Sequence, residues 1–342
     1  MRVESASKEY IFEDERPFQS CHASTIIALD RGRLLTAWFG GTKEGAHDVD
    51  IWGALRTEDG WSEPARLAGA DVPLWNPVLD RDERGILTLY YKSGVKIPSW
   101  RTMVTTSSDD GTTWSAPREL IEGDEGGRGP VKNKLIRLRD GTMAAPASLE
   151  TKERWDAFVD LSADGGASWN RTGFVPLRRV PKQEGEAATD IRPAEEADGV
   201  MNKGVIQPTL WESEPGRVHM LLRTTEDTIF RSDSADGGRS WCQAYSIGLP
   251  NNNSGIDLAQ MNDGTLALVY NPVSGRWGPR TPLVVRFSSD NGMSWGGEFV
   301  LEKEPGEYSY PAIVAGGETL HITYTWNRER IAYWKLTVSG NG

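Results

Sequence analysis

Apolar and polar residues alternate through most of this chain in short runs, and the runs are punctuated by turn residues rather than by helix caps. In "NPVLDRDERGILTLYYKSG", residues 76–94, an apolar stretch stops at a D-E-R-G turn and then resumes. In "RTMVTTSSDDGTTWSAPRELI", residues 101–121, alternation runs into a polar D-G segment and restarts after a tryptophan. Period-two alternation bounded by Gly, Asp, Asn and Ser marks half-buried strands joined by hairpins. The unit therefore reads as strand, turn, strand, loop, strand, polar box, strand.

The polar box recurs as "SSDDGTTWS", "SADGGASWN", "SADGGRSWC" and "SSDNGMSWG", closing on Trp114, Trp169, Trp241 and Trp295. "RTEDGWSEP", with Trp61, is a degraded copy, and the successive steps are 53, 55, 72 and 54 residues. Tight-turn signatures at Gly32, Gly85, Gly141, Gly216, Gly264 and Gly317 follow the same period and raise the count to six units. Six antiparallel four-stranded units predict an all-β, six-bladed β-propeller that takes up residues 1–342 as one domain. The sixth unit, from Tyr308, ends at "RIAYWKLTV" without a box. Its missing strand is expected at Glu9 to Pro17, so that an N-terminal strand closes the ring. The 178–203 segment carries the extra length and is expected to be a functional or a disordered loop.

Strand direction then places the chemistry. Successive strands reverse, so the D-G turns and the boxes share one rim. In the box the Asp carboxylate can accept backbone N–H bonds of its own turn, Gly supplies a positive φ, and Trp packs between blades. Asp109, Asp164, Asp236 and Asp290 are accordingly read as fold fasteners. The opposite rim gathers His22, Asn76, Lys132, Lys134, Gln207, Asn253 and Tyr308 at the starts of first strands. Ends of second strands and starts of third strands add Glu44, His47, Asp48, Asp50, Lys92, Arg101, Arg223 and Arg280. Polar groups converging at the mouth of a funnel are what a small-ligand site requires.

Composition narrows the ligand. A formal charge of -11 argues against nucleic acid, which is held by clustered Lys and Arg, so an anion would need a local basic pocket. The 14 tryptophans and 37 glycines fit turn-rich β-structure. Two cysteines, Cys21 and Cys242, are too few for a disulfide framework or a zinc site. The N-terminus "MRVESASKEYIFEDERPF" has no apolar leader and no window approaches a membrane span, so a cytoplasmic protein without membrane contact is expected. With no phosphate-binding glycine loop and no metal-ligand cluster, neither cofactor nor metal is expected, and the topology predicts no Ser-His-Asp constellation.

The boxes, in register over nearly the whole chain, resemble the Asp-box or BNR repeats of the sialidase (neuraminidase) superfamily. The resemblance implies a tyrosine nucleophile, Tyr308 in "GEYSYPAIV", and an arginine clamp on the substrate carboxylate. Arg223 in "GRVHMLLRTT" and Arg280 in "NPVSGRWGPRTP" match two of the family's three arginines. It also implies a general acid in "AWFGGTKEGAHDVDIWGALR", with Asp48 first and Glu44 next. The chain departs from the family pattern at two places: His22 in "CHAST" stands near the first arginine's position, and Gln207-Pro208 replaces a glutamate before proline. Gln207, Asn76, Lys134, Arg101 and Asn253 complete the expected substrate-binding set. The function so implied is exo-acting hydrolysis of a terminal acidic sugar from a small anionic carbohydrate. Two alternatives stand beside it: a lyase or rhamnosidase acting next to glucuronate through His22, Tyr308 and the arginines, and a glycan-binding propeller without catalysis.

Overall fold

The predicted strand runs fold as expected in a computed structural model that describes residues 1–180 and 200–340, so most of the 178–203 segment lies outside the described residues. Six antiparallel sheets surround one axis, in the strand order the turns dictate. The innermost strands are Ser20–Ala28, Leu74–Arg81, Ile136–Arg137, Val205–Glu214, Asp257–Gln260 and Tyr308–Gly316, for blades 1 to 6 in turn. Helical structure among the described residues is confined to short 3-10 turns at Asp30–Gly32 and Ile97–Ser99. No helix among them is long and apolar enough to cross a membrane.

An N-terminal strand does close the ring, but from different residues than the sequence suggests. Arg2–Tyr10 pairs antiparallel with Arg330–Ser339 as the outermost strand of blade 6. The expected span of Glu9 to Pro17 is displaced because Ile11, Phe12 and Phe18 turn inward. They join Trp38, Ile331 and Tyr333 in an apolar cluster between blades 6 and 1. Burying those side chains outweighs continuing the ladder through them.

The core is divided in the same manner around the ring. Apolar clusters fill each gap between neighbouring blades, for example Leu35, Val49, Leu79 and Leu89 between blades 1 and 2, and Leu258, Leu268, Leu221 and Ile229 between blades 4 and 5. Each box tryptophan packs into the cluster it shares with the preceding blade: Trp114 in 1/2, Trp169 in 2/3, Trp241 in 3/4 and Trp295 in 4/5. The box carboxylates bond within their own turns. Asp109 Oδ1 accepts from the Ser107 hydroxyl at 2.7 Å and the Thr113 N–H at 2.9 Å, and Oδ2 accepts from the Thr113 hydroxyl at 2.6 Å. Asp164, Asp236 and Asp290 repeat the pattern.

Polar side chains tie the blades at the axis. The buried Asp257 carboxylate, on blade 5, accepts Lys134 Nζ from blade 3 at 2.8 and 2.9 Å. It also accepts the Thr209 hydroxyl of blade 4 at 2.8 Å and the Ile313 N–H of blade 6 at 2.9 Å. Lys134, expected to bind substrate, is therefore a structural cation held by this carboxylate.

Ser294 and Ser288 hold the Asp290 carboxyl down to about 2, against 3.8 for the free group. A lowered folded value means the contribution to stability is complete above the unfolded value and is lost as pH falls from about 4 toward about 2. Asp290→Ala should lower the melting temperature near neutral pH, with the difference closing across that acid window in thermal melts. Asp257→Ala, which strands the half-buried Lys134 ammonium, should cost about 1.5–3 kcal/mol in urea denaturation at unchanged m-value.

Candidate active site

One backbone irregularity recurs at the open rim of the blades and builds the site. Ala23, Asn76, Lys132, Gln207, Asn253 and Tyr310 each adopt positive φ, between 44° and 65°, at the head of the six innermost strands in turn. In blades 1, 2, 4 and 6 the ladder skips there, between His22 and Thr25, Trp75 and Val78, Ile206 and Thr209, and Ser309 and Ala312. Such a bulge re-aims a side chain that regular alternation would send into the sheet. A left-handed non-glycine residue costs on the order of 1–3 kcal/mol and persists only where the surroundings over-determine it.

These residues meet around Tyr310 and Arg223. Arg223 Nη1 donates to the Tyr310 phenol oxygen at 2.7 Å and to Gln207 Oε1 at 3.0 Å, while Nε donates to Asn253 Oδ1 at 3.0 Å. The guanidinium lies 5.5 Å from the Tyr310 ring centroid and 5.6 Å from that of Trp155. Arg280 approaches the same tyrosine ring at 5.7 Å, and its Nη1 donates to Glu307 at 2.8 Å and to the Ser309 hydroxyl at 3.1 Å. Arg328 donates Nε to Glu307 at 2.9 Å and pairs with Glu44 at the rim. A Cβ on Gly255 would come within 3.0 Å of Lys132 and 3.4 Å of Tyr310, so the glycine leaves room for both side chains at the floor of the site.

His22 closes the cluster. Its ring stands 4.2 Å from that of Tyr310, and Nδ1 shares a hydrogen bond of 2.9 Å with the Thr325 hydroxyl. Burial holds the imidazole well below its ordinary value, and the neighbouring charges of Arg328, Arg280, Arg223 and Lys132 act in the same direction. Lys132 Nζ donates to Asn133 Oδ1, to the Ile256 carbonyl and to the Pro311 carbonyl, and burial lowers the ammonium to about 7.

Several sequence expectations land elsewhere. Tyr308 is buried in the cluster between blades 5 and 6, 6.5 Å from the Trp326 ring. Alternation alone would put Tyr308 and Tyr310 on one face, but the left-handed backbone at Tyr310 turns the second tyrosine to the axis. The Asp48 carboxylate accepts the Thr42 N–H at 2.9 Å and the Thr42 hydroxyl, which hold it below its usual range in an exposed turn. A proton donor needs the opposite shift. Glu44 is held by Arg328, and Arg101 pairs with Glu119 and Glu125 on an exposed edge. Asn76 is buried at its left-handed position on blade 2. The structure thus gathers His22, Gln207, Arg223, Asn253 and Arg280, and adds Tyr310, Arg328, Glu307 and Trp155.

The topology also assembles a Ser-His-Asp set that the sequence reading did not expect. On blade 4, His219 bonds Ser213 Oγ at 2.7 Å and Asp233 at 2.5 Å. Arg231, however, donates Nε to the same Asp233 oxygen at 2.8 Å and brings Nη2 within 3.1 Å of His219 Nδ1. A guanidinium there opposes the imidazolium that such a triad must form. Among the described residues no group of His, Cys, Asp or Glu is arranged to hold a metal.

The fold is a six-bladed propeller built from BNR-type repeats. Residues 32–322 match the BNR repeat-like domain, and the chain belongs to that family. Among solved structures it is similar to the Hadza microbial sialidase Hz136, with TM-score 0.74, 16% identity, and coverage of 93% of this chain and 66% of that one. It is likewise similar to Trypanosoma rangeli sialidase in complex with the inhibitor DANA, with TM-score 0.71, 13% identity, and coverage of 97% and 60%. A protein of unknown function from Dyadobacter fermentans matches over 99% of both chains, with TM-score 0.73 and 15% identity. The chain spans about two thirds or less of the two sialidases' lengths, and the likeness is one of fold.

The electrostatics of His22 can be read directly. Because burial and four cations all oppose its charged form, its imidazole should show no titration step at its ordinary value of 6.5. Ring-nitrogen NMR with His22→Gln as the assignment control checks this; a step near its ordinary value would contradict the cationic cluster.

Proposed function

We propose that this propeller binds the carboxylate of a terminal acidic sugar through Arg223 and Arg280 and hydrolyses its glycosidic bond beside Tyr310. One observation carries the reading. Arg223 is 3% exposed, yet its partners among the described residues, Asn253, Gln207 and Tyr310, are all neutral. A guanidinium removed from water without a counter-charge is costly, by several kcal/mol, and a bound carboxylate offsets that cost with charge-assisted bonds of defined direction. Arg280 approaches the same tyrosine ring, so a carboxylate held by the arginines would lie beside the phenol.

Tyr310 suits the reaction centre without the glutamate of the family pattern. The Arg223 N–H directed at its oxygen favours negative charge there, which either attack on the anomeric carbon or stabilisation of an oxocarbenium-like centre requires. The next sugar has a surface to rest on. Trp277, on the same loop as Arg280, is 65% exposed with φ 78°, while Trp75 and Trp211 are buried. That loop is tied to Asp227 through Gly275 and to Asn252 through Pro279, so the exposed ring is held rather than loose.

A second reading, elimination next to a uronate, is favoured by the neutral His22 imidazole lying 4.2 Å from Tyr310. With Arg223 neutralising the uronate carboxylate, that pair could remove the proton on the adjoining carbon. The products separate the readings: hydrolysis leaves saturated sugars, and elimination leaves an unsaturated uronate that absorbs ultraviolet light.

The test is a panel of aryl sialosides, aryl glucuronides and rhamnosyl-glucuronate oligosaccharides, followed by reducing sugar and by ultraviolet absorbance. Arg223→Ala and Tyr310→Phe should each lower kcat/KM by about 10²-fold or more. Tyr308→Phe should leave kcat near wild type, and Trp277→Ala should raise KM for oligosaccharides only. Turnover of an acidic sugar that survives Arg223→Ala would remove the carboxylate clamp.

A further inference from the structure

We infer that Glu150 is the proton donor to the leaving sugar, supplying the acid that the blade 1 loop does not. The inference rests on the hydrolytic reading above. Glu150 ends Met143–Glu150, the second strand of blade 3, at the rim where Lys92 closes blade 2's second strand and Arg223 closes blade 4's. Its partner across the hairpin is Trp155, whose ring carries the Arg223 guanidinium at 5.6 Å and the Lys203 ammonium at 5.3 Å. The glutamate therefore stands on the wall of the carboxylate clamp.

Glu150 borders a hollow between blades 2 and 3, together with Lys92, Trp100, Val131 and Ser148. Val131 immediately precedes Lys132, at the floor of the site. Lys92 does not pair with the glutamate. Its Nζ donates to the Thr102 hydroxyl at 2.7 Å, to the Gly127 and Arg128 carbonyls at 2.9 Å each, and to the Gly129 carbonyl at 3.3 Å. The hydroxyl of Ser148 is buried there without a partner. Among the described residues Glu150 makes no ion pair within 4.0 Å. Glu150 is half-buried, and desolvation of its carboxyl keeps it above the usual range, although the charges of Arg223, Lys203 and Lys92 pull the other way. Desolvation without a direct partner is the condition under which a carboxyl retains a proton for transfer. Asp48, with its hydroxyl and N–H donors, is in the reverse condition.

In the step, the proton on Glu150 moves to the glycosidic oxygen as that oxygen's bond to the anomeric carbon breaks, and the next sugar leaves as a neutral alcohol. Positive charge building at the anomeric carbon is met by the Tyr310 oxygen. Water then bonds to that carbon and returns a proton to the Glu150 carboxylate. One water is consumed, one glycosidic bond is cleaved, and the acid is restored.

The experiment uses the acidic sugar cleaved in the panel, carried on two leaving groups: a 4-nitrophenol, which departs without protonation, and a second sugar, which does not. Glu150→Gln should lower kcat/KM by about 10²–10⁴-fold on the sugar leaving group. On the nitrophenyl glycoside it should lower it only a few-fold, and the alkaline limb of the pH profile should vanish. Calorimetric Kd for the free acidic sugar should stay within a few-fold of wild type, which reports a folded variant with its clamp intact. Glu150→Asp, should the glutamine variant not fold, is expected to keep a proton donor and hence a bell-shaped profile at reduced kcat. Equal losses on both leaving groups, or an unchanged alkaline limb, would overturn the assignment while leaving hydrolysis standing. A wild type that cleaves no acidic glycoside would overturn the hydrolytic reading and this one with it.

Discussion

The site exists because the Asp257 carboxylate ties four blades at one height. Apolar clusters in the gaps set how closely blades pack, but apolar contact is non-directional and does not fix how far one blade slides past the next. Hydrogen bonds to a single buried carboxylate do fix it, since Lys134, Thr209 and Ile313 reach Asp257 from three different blades. Asn133 extends the lock by donating to the Gln207 and Pro208 carbonyls, and the Ser24 hydroxyl by donating to Thr323. Taking these charges and dipoles from water is repaid only when every group is paired. The pairing is satisfied only in one vertical register, the one that brings Tyr310, Arg223 and His22 to a common level.

Above that lock the left-handed residues turn side chains of every blade toward the axis. Three of them, Asn76, Gln207 and Tyr310, precede proline, where backbone freedom is already narrowed. Strain of this kind is held in place by contacts. Gln207 and Tyr310 both lie on Arg223, and the Pro311 carbonyl accepts from Lys132. The strained positions and the cationic cluster are thus one device, since the hydrogen bonds that hold the backbone are those that aim the guanidinium.

The ring was legible in the sequence because its signals are local. Boxes, D-G turns and alternation each lie within a few residues, and their period counts the blades. Legibility failed where a tertiary contact overrides alternation. Ile11, Phe12 and Phe18 read as strand but are captured by Trp38 and Tyr333, which moves the closing strand to Arg2–Tyr10. Tyr308 fits a "YS" context, while the axis takes Tyr310. A usable signal was present: aligning Asn76-Pro77 with Gln207-Pro208 points to Tyr310-Pro311 in the sixth unit. Arg328, Glu307 and Glu150 carried no motif, because each acquires its role from neighbours far along the chain.

The glutamine at 207 sets the charge balance on which any chemistry here depends. A carboxylate in its place, 3.0 Å from Arg223, would supply the counter-charge internally, and a substrate carboxylate would have to compete with it. An ion pair near 4 Å is worth about 4 kcal/mol at an effective dielectric of 20, enough to decide that competition. The amide oxygen of Gln207 positions the guanidinium without neutralising it. Arg280 and Arg328 share Glu307, whereas the partners of Arg223 among the described residues are neutral. Because Arg223 also donates to the Tyr310 oxygen, the charge that Gln207 leaves on the guanidinium is felt at the phenol as well.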